Sequence, residues 1–272
     1  MDNKIKRVIS AAVMIPIVVV FTILGGTPFK VFVSVITLIA IFEYRNSYNC
    51  TGQKAILGIL LLGYTLNLAI IFSNKYNYQL PLIFLILLLS MATPIFNRKY
   101  DVISSAITIT GYLYIVQFFT FLILIRDIDM GKDYIWLVFI IAWFCDTCAY
   151  YSGRFFGKKK LCPDISPKKT IAGSIGGTIG SIIGVILWNY INISKGISFI
   201  SIILLGFAGG IIAQIGDLSA SLIKRYSGIK DYGNIMPGHG GILDRFDSIL
   251  FTAPIVYYYI ILFVGWFYEW GE

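Results

Sequence analysis

Nine blocks of this sequence are long, apolar and nearly free of charge, and they decide what kind of fold the chain can adopt. They lie at about 9–26, 29–44, 55–73, 79–97, 102–125, 134–151, 171–190, 197–223 and 248–267. A helix needs ~20 mostly apolar residues to cross ~30 Å of hydrocarbon. In lipid the backbone must satisfy its own hydrogen bonds, which leaves helices or closed barrels. Barrel strands would alternate over ~10-residue segments, whereas these blocks are continuous. The expected fold is an all-α polytopic membrane protein of about nine transmembrane helices. Composition excludes a soluble domain: 13% of the 272 residues are charged, against roughly 25% in an ordinary one. The first block leads straight into a second and lacks a small-residue cleavage site, so it reads as a span and not as a signal peptide.

The net charge of +8 comes from 22 basic and 14 acidic residues. Such a balance can mean nucleic acid, but the positions of the cations favour anionic lipid. With the N-terminus cytoplasmic, the outer side holds only Lys30, Lys75, Arg126, Lys132 and Lys195, and the other 17 of the 22 face inward. That bias predicts a cytoplasmic N-terminus and a C-terminus outside. Trp266, Tyr268 and Trp270 then form an aromatic anchor at the outer end of the last span. Membrane lipids are the expected partners, and no nucleic acid is.

Neither an internal repeat nor a low-complexity tract is evident. The chain is asymmetric nonetheless. Residues 1–130 have short loops and few ionisable groups in the spans, and read as scaffold helices. Residues 131–272 carry polar groups in the spans and two long loops, 152–170 and 224–247, and read as the catalytic region of the same integral membrane unit.

Asp146 lies eight residues before Arg154, about 12 Å along a helix from the cytosolic end of its span. Asp217 lies seven residues before Lys224, about 10.5 Å deep by the same rise. A carboxylate there costs ~2.5–3.5 kcal/mol on insertion scales, so each needs a partner or a wet cavity. A structural ion pair or a protonated acid would also satisfy either one. Gln214, Asp217, Ser221 and Lys224 recur at intervals of three and four, one polar stripe of a helix. Gly173, Gly176, Gly177, Gly180 and Gly184 repeat at small-xxx-small spacing, which predicts a close helix crossing. Lys168-Lys169-Thr170 has a cation and a hydroxyl but no preceding glycine loop of the P-loop kind.

The return loop is the densest stretch: Lys224-Arg225, Lys230-Asp231, Pro237-Gly238-His239-Gly240-Gly241, then Asp244-Arg245-Phe246-Asp247. Glycines let backbone approach phosphates closely, and the acids suit hard cations. His239, the only histidine, has no cysteine or second histidine near it for zinc. As a bland alternative it hydrogen-bonds backbone. Cys145 and Cys148 lie within a span without a second pair at metal-binding spacing, and read as small packing residues. Cys50 and Cys162 are cytosolic by this topology, which argues against structural disulfides.

From Ser221 to Asp247 the sequence closely resembles the phosphatidate cytidylyltransferases, or CDP-diacylglycerol synthases. Their signature runs Ser-x-apolar-Lys-Arg, then Lys-Asp-x-small, then His-Gly-Gly-apolar-x-Asp-Arg-apolar-Asp. Ser221, Lys224, Arg225, Lys230, Asp231, Gly233, Pro237, His239, Gly240, Gly241, Asp244, Arg245 and Asp247 fill those places. Upstream, Asp146, Gly153-Arg154, Gly157, Ser166-Pro167-Lys168-Lys169-Thr170 and Gly173 are similar to the family as well. The resemblance covers about 140–250; the first half shares only its hydrophobic character.

The resemblance implies transfer of the cytidylyl group of CTP to phosphatidate, a step of phospholipid biosynthesis. It also implies catalytic Asp217, Asp244, Lys224 and His239, the last orienting a phosphate. Ser221, Arg225, Lys230, Lys168, Lys169, Ser166, Arg245, Gly240 and Gly241 become candidates for substrate contacts. Asp217 and Asp244 become ligands of Mg²⁺, clamping one site from two elements, with Asp146 and Asp247 as neighbours. A second cation and a homodimer are left open. The expected location is a bacterial cytoplasmic membrane, with the active site facing the cytoplasm. Two other readings fit part of the pattern. A membrane lipid kinase of the dolichol or phytol type would transfer a γ-phosphoryl group. An ion or proton carrier would explain buried acids, but it predicts polar residues through the full depth of several spans.

Overall fold

The structure is a computed structural model that describes residues 3–192, 198–236, 238 and 240–264. Pro237, His239 and the aromatic anchor Trp266, Tyr268 and Trp270 lie outside the described residues, as do the side chains before residue 12. Among the described residues, each of the nine apolar blocks holds a helix. In chain order these are α1 (Asn3–Leu24), α2 (Gly26–Ser47), α3 (Leu57–Ser73), α4 (Gln79–Phe96), α5 (Val102–Gly111), α6 (Phe118–Asp127), α7 (Gly131–Phe156), α8 (Ile171–Asn192), α9 (Phe199–Tyr226) and α10 (Leu243–Tyr259). A π-helical turn, Tyr112–Gln117, joins α5 and α6 into one span.

Among the described residues seven helices are long and apolar enough to cross a membrane, and two shorter apolar ones cover Ala12–Leu24 and Leu57–Ser73. This is an all-α integral membrane protein. Local chemistry sets the breaks between helices. Gly25 and Gly26 both take positive φ, 62° and 52°, the left-handed region that glycine enters at least cost, and α1 ends there. Asp101 caps α5, accepting the Ser104 N–H and the Ser104 hydroxyl, each at 2.8 Å. Those bonds hold its carboxyl below the usual carboxylate range.

The all-helical expectation misses one element. Within loop 152–170 an antiparallel hairpin forms from β1 (Lys160–Cys162) and β2 (Ser166–Thr170), pairing Lys160 with Thr170 and Cys162 with Ser166.

The chain divides into two compact units. The first joins residues 1–123 to 223–245, so the return loop folds with the N-terminal helices and not with the rest of 131–272. Its interior is both tightly packed and polar. Tyr44 is fully buried, and its hydroxyl donates to the Ile107 carbonyl at 3.0 Å. Gly111 lies against the Tyr44 ring and Gly63 against the Tyr112 ring, where a Cβ would collide. A line of side chains hands hydrogen bonds along. Gln117 donates to Tyr112 and to Gln79, Gln79 to Asn67, and Asn67 to Thr120. Such bonds between membrane helices are worth ~0.6–2 kcal/mol each, and here each donor meets an acceptor.

The second unit joins residues 124–222 to 246–272. The glycine stripe of α8 packs on α7 as the spacing predicts. A Cβ at Gly180 would stand 2.5 Å from Cys148 Sγ, and one at Gly177 3.0 Å from the Cys145 carbonyl. The cysteines of that crossing pack as small residues, and all four in the chain are free. Ser181 donates to the Gly206 carbonyl at 2.7 Å, tying α8 to α9.

Candidate active site

In the second unit, β2 and the facing ends of α7, α8 and α9 enclose a cavity of about 410 Å³. That lies within the ~300–1,000 Å³ usual for small-molecule sites. Asp146, Arg154, Lys168, Lys169, Gln214 and Asp217 line it with charge and hydrogen-bonding capacity. Asp146 comes from α7 and Asp217 from α9, so the two acids placed at matching depth do face one cleft. Lys169 meets Asp217 at 2.6 Å, with their side chains 24% and 31% exposed. The pair is one of distance and not of hydrogen-bond alignment. The Lys169 ammonium nitrogen is buried and makes no hydrogen bond among the described residues. Its donor capacity is therefore available to an anion in the cleft.

The wall of the cleft is locally determined. Thr170 ends β2 and caps α8, its hydroxyl accepting the Gly173 N–H at 3.1 Å. Gly153 and Gly157 of the α7 end lie so close to Thr170 that a Cβ on either would fall within 3 Å of it. These contacts fix the strand that carries Lys168 and Lys169. Gln214 donates to the Ser174 and Gly210 carbonyls and to Thr178 Oγ1 at 3.1–3.2 Å. Ser221 donates to Asp217 at 3.5 Å.

In the first unit, the return loop is held by two carboxylates. Asp244, in the first turn of α10, accepts the Tyr232 N–H at 2.8 Å and the Gly241 N–H at 2.9 Å on Oδ2. Its Oδ1 accepts from Lys224 Nζ at 2.7 Å, in a pair whose side chains are 12% and 2% exposed. The Lys224 ammonium also stands 5.4 Å from the centre of the Tyr232 ring. Burial pushes the Tyr232 hydroxyl well above its ordinary range, so it stays neutral. Glu43, from α2, accepts the Ile242 and Leu243 N–H groups, both at 2.9 Å. Gly240 takes φ 86° and shares a bridge with Met236. A Cβ there would stand 2.6 Å from Asp244 Oδ2.

The structure thus brings Asp146, Asp217, Lys168 and Lys169 together in one cleft, and gathers Lys224, Asp244, Gly240 and Gly241 in one loop. Ser166 is half-buried in β2 and Asp247 half-buried in α10; Arg225, Lys230 and Arg245 are exposed. His239 lies outside the described residues. Lys224, expected as a catalytic residue, has its ammonium on Asp244. Gln214 of the polar stripe and Arg154 of the family resemblance do reach the cleft, though sequence reasoning gave neither a site role; it missed Glu43 and Tyr232 around the loop. Glu43 had a signal: a lone carboxylate inside an apolar span needs a partner by the argument that singled out Asp146.

No group of three or more His, Cys, Asp or Glu side chains able to hold a metal ion occurs among the described residues. Mg²⁺ does not require one, since it takes one or two carboxylates and completes its shell with phosphate oxygens and water. Asp146 and Asp217 meet that donor chemistry in one cleft, beside lysines suited to the phosphates.

The sequence model of the cytidylyltransferase family matches residues 5–263. The phosphatidate cytidylyltransferase of Bacillus subtilis (strain 168) is 32% identical over 265 residues, covering 95% of this chain and 98% of that protein. The phosphatidate cytidylyltransferase of Staphylococcus haemolyticus (strain JCSC1435) is 34% identical over 257 residues, covering 92% and 96%. That of Synechocystis sp. (strain ATCC 27184 / PCC 6803 / Kazusa) is 42% identical over 132 residues, covering 46% and 42%.

Proposed function

The chain belongs to the cytidylyltransferase family, and we infer that it transfers the cytidylyl group of CTP to phosphatidate, giving CDP-diacylglycerol and pyrophosphate. The observation that carries the site assignment is the cleft in which Asp146 and Asp217 face Lys168, Lys169 and Arg154. Phosphatidate and CTP repel one another, and a cleft lined with cations offsets that charge. A phosphatidate oxygen forms a bond to the α-phosphorus of CTP as the bond to the β-phosphate oxygen breaks and pyrophosphate leaves in line. The attacking oxygen is already anionic, so positioning and charge neutralisation carry the catalysis.

Lys169 is the residue best placed to exchange Asp217 for a phosphate, because its ammonium is buried yet lacks an aligned acceptor. Lys168, exposed on the same strand, serves a second phosphate. We assign Mg²⁺ to Asp217 and Asp146; when bound it would polarise the α-phosphate and neutralise the leaving pyrophosphate. Asp244 and Asp247 remain proposed members of the acid set, and a second cation and a homodimer extend the same proposal. The basic residues serve nucleotide and lipid phosphates and not nucleic acid. Neither the lipid kinase nor the carrier reading gains support from the relatives.

The deciding experiment uses purified protein in detergent with phosphatidate, Mg²⁺ and CTP labelled at the α- or the γ-phosphorus. Label from the α-position should reach the lipid, with γ-label released in pyrophosphate. Transfer of γ-label to lipid would instead make the protein a kinase. The proposal also sets the site in the cytoplasmic membrane of a bacterium, open to the cytoplasm. A reporter fused after Glu272 should accordingly read as external, and finding both termini on one side would overturn the nine-span topology.

A further inference from the structure

The mechanism leaves one buried carboxylate unused. Glu43 is 5% exposed, lies in α2, and makes no ion pair among the described residues. What it does hold is backbone: the Ile242 and Leu243 N–H groups, 199 and 200 residues further along the chain. These amides lie at the start of α10, where unsatisfied N–H groups and the helix dipole favour negative charge. Asp244 holds the Tyr232 and Gly241 amides in the same way. Between them the two acids take four amides of a loop that also carries Lys224 and the glycine turn.

The glycines of the loop record the same contact. A Cβ at Gly233 would stand 2.7 Å from Glu43 Oε1, and a Cβ at Gly241 would overlap the Glu43 carboxylate. Neither glycine has a positive φ, so backbone conformation does not demand them there. Space for the acid does.

We propose that Glu43 is a positioning residue for the reaction: its carboxylate, supplied by a helix of the N-terminal half, fixes the glycine-rich loop and the first turn of α10 in the geometry that cytidylyl transfer uses. The role rests on the reaction assigned above, but the clamp itself does not. Charge and both oxygens matter. Glutamine offers one acceptor and turns an NH₂ group toward a backbone N–H, and aspartate is one methylene too short to reach the same two amides.

The test combines kinetics with amide exchange on the full-length protein in detergent. In Glu43→Gln, the amides of residues 242 and 243 should lose protection. Turnover per folded molecule should fall on the order of 100-fold, the cost of a ~1 Å misplacement, with a smaller change in KM. Gly241→Ala leaves Glu43 in place but displaces its carboxylate, and should reproduce both effects. Adding Glu43→Ala to Gly241→Ala should cost less than the two single losses combined, because the collision is removed. If Glu43→Gln does not fold, Gly241→Ala and the double variant still decide the matter. Wild-type turnover per folded molecule in Gly241→Ala, or strictly additive losses, would overturn the proposal. If the wild-type protein makes no CDP-diacylglycerol, the assigned reaction fails on that result. Exchange at 242 and 243 then still reports whether Glu43 clamps the loop.

Discussion

Asp217→Asn is expected to abolish cytidylyl transfer while leaving the protein folded in the membrane. The substitution keeps size and hydrogen-bonding capacity and removes only the charge that a hard divalent cation needs, so excess Mg²⁺ should restore little. Folding should tolerate the change because Asp217 is not a deeply buried partner. Its side chain is 31% exposed, so what replaces the carboxylate stays in contact with the cleft. The amide oxygen that replaces the carboxylate can still accept from the buried Lys169 ammonium. Asparagine is, moreover, cheaper than aspartate in a low-dielectric helix. The measurement is α-label transfer set beside the thermal midpoint in detergent. A structural ion pair predicts another pattern, with activity falling only in proportion to folded protein. A normally folded and fully active Asp217→Asn protein would remove the metal assignment.

The difference between Asp217 and Asp244 also marks how far the sequence can be read. Apolar runs report helices because lipid imposes both length and hydrogen bonding on a span, and among the described residues each of the nine runs holds a helix. The glycine stripe of α8 was legible for a related reason, since small residues at i, i+4 have few uses other than close approach. The β1–β2 hairpin was not legible. Ser166-Pro167-Lys168-Lys169-Thr170 has no apolar alternation, and its pairing depends on the helix ends that hold it. The depths of Asp146 and Asp217 followed from the helical rise, but the partner of Asp217 sits on that hairpin and had no signal. Glu43 was passed over because its partners are backbone amides, which carry no residue identity to search for. The π-helical turn at Tyr112–Gln117 likewise depends on where Gln117 and Tyr112 find hydrogen bonds, which is a tertiary matter.

Lys224 is the case in which the structure changes the expected consequence of a mutation. Read as a cation on a cytosolic loop, it would cost substrate use and nothing else. In the fold its ammonium is tied to Asp244 at 2.7 Å, with side chains only 12% and 2% exposed. Lys224→Met is therefore expected to destabilise the protein by ~3–5 kcal/mol, the usual cost of stranding one charge of a buried pair. Asp244→Asn should be of similar severity. Its amide oxygen can still accept from Tyr232 and Gly241, but its NH₂ group then faces the Lys224 ammonium. Combining the two substitutions removes both charges, and the double variant should recover part of the stability lost in either single one. Thermal midpoints of the four proteins in one detergent close the cycle. Additive losses would mean that the pair does not couple, and that Asp244 holds the loop through its backbone bonds alone. Stability and catalysis should then part company. The double variant should remain inactive, because neutralising Asp244 removes a charge that the proposed acid set requires, whatever stability returns.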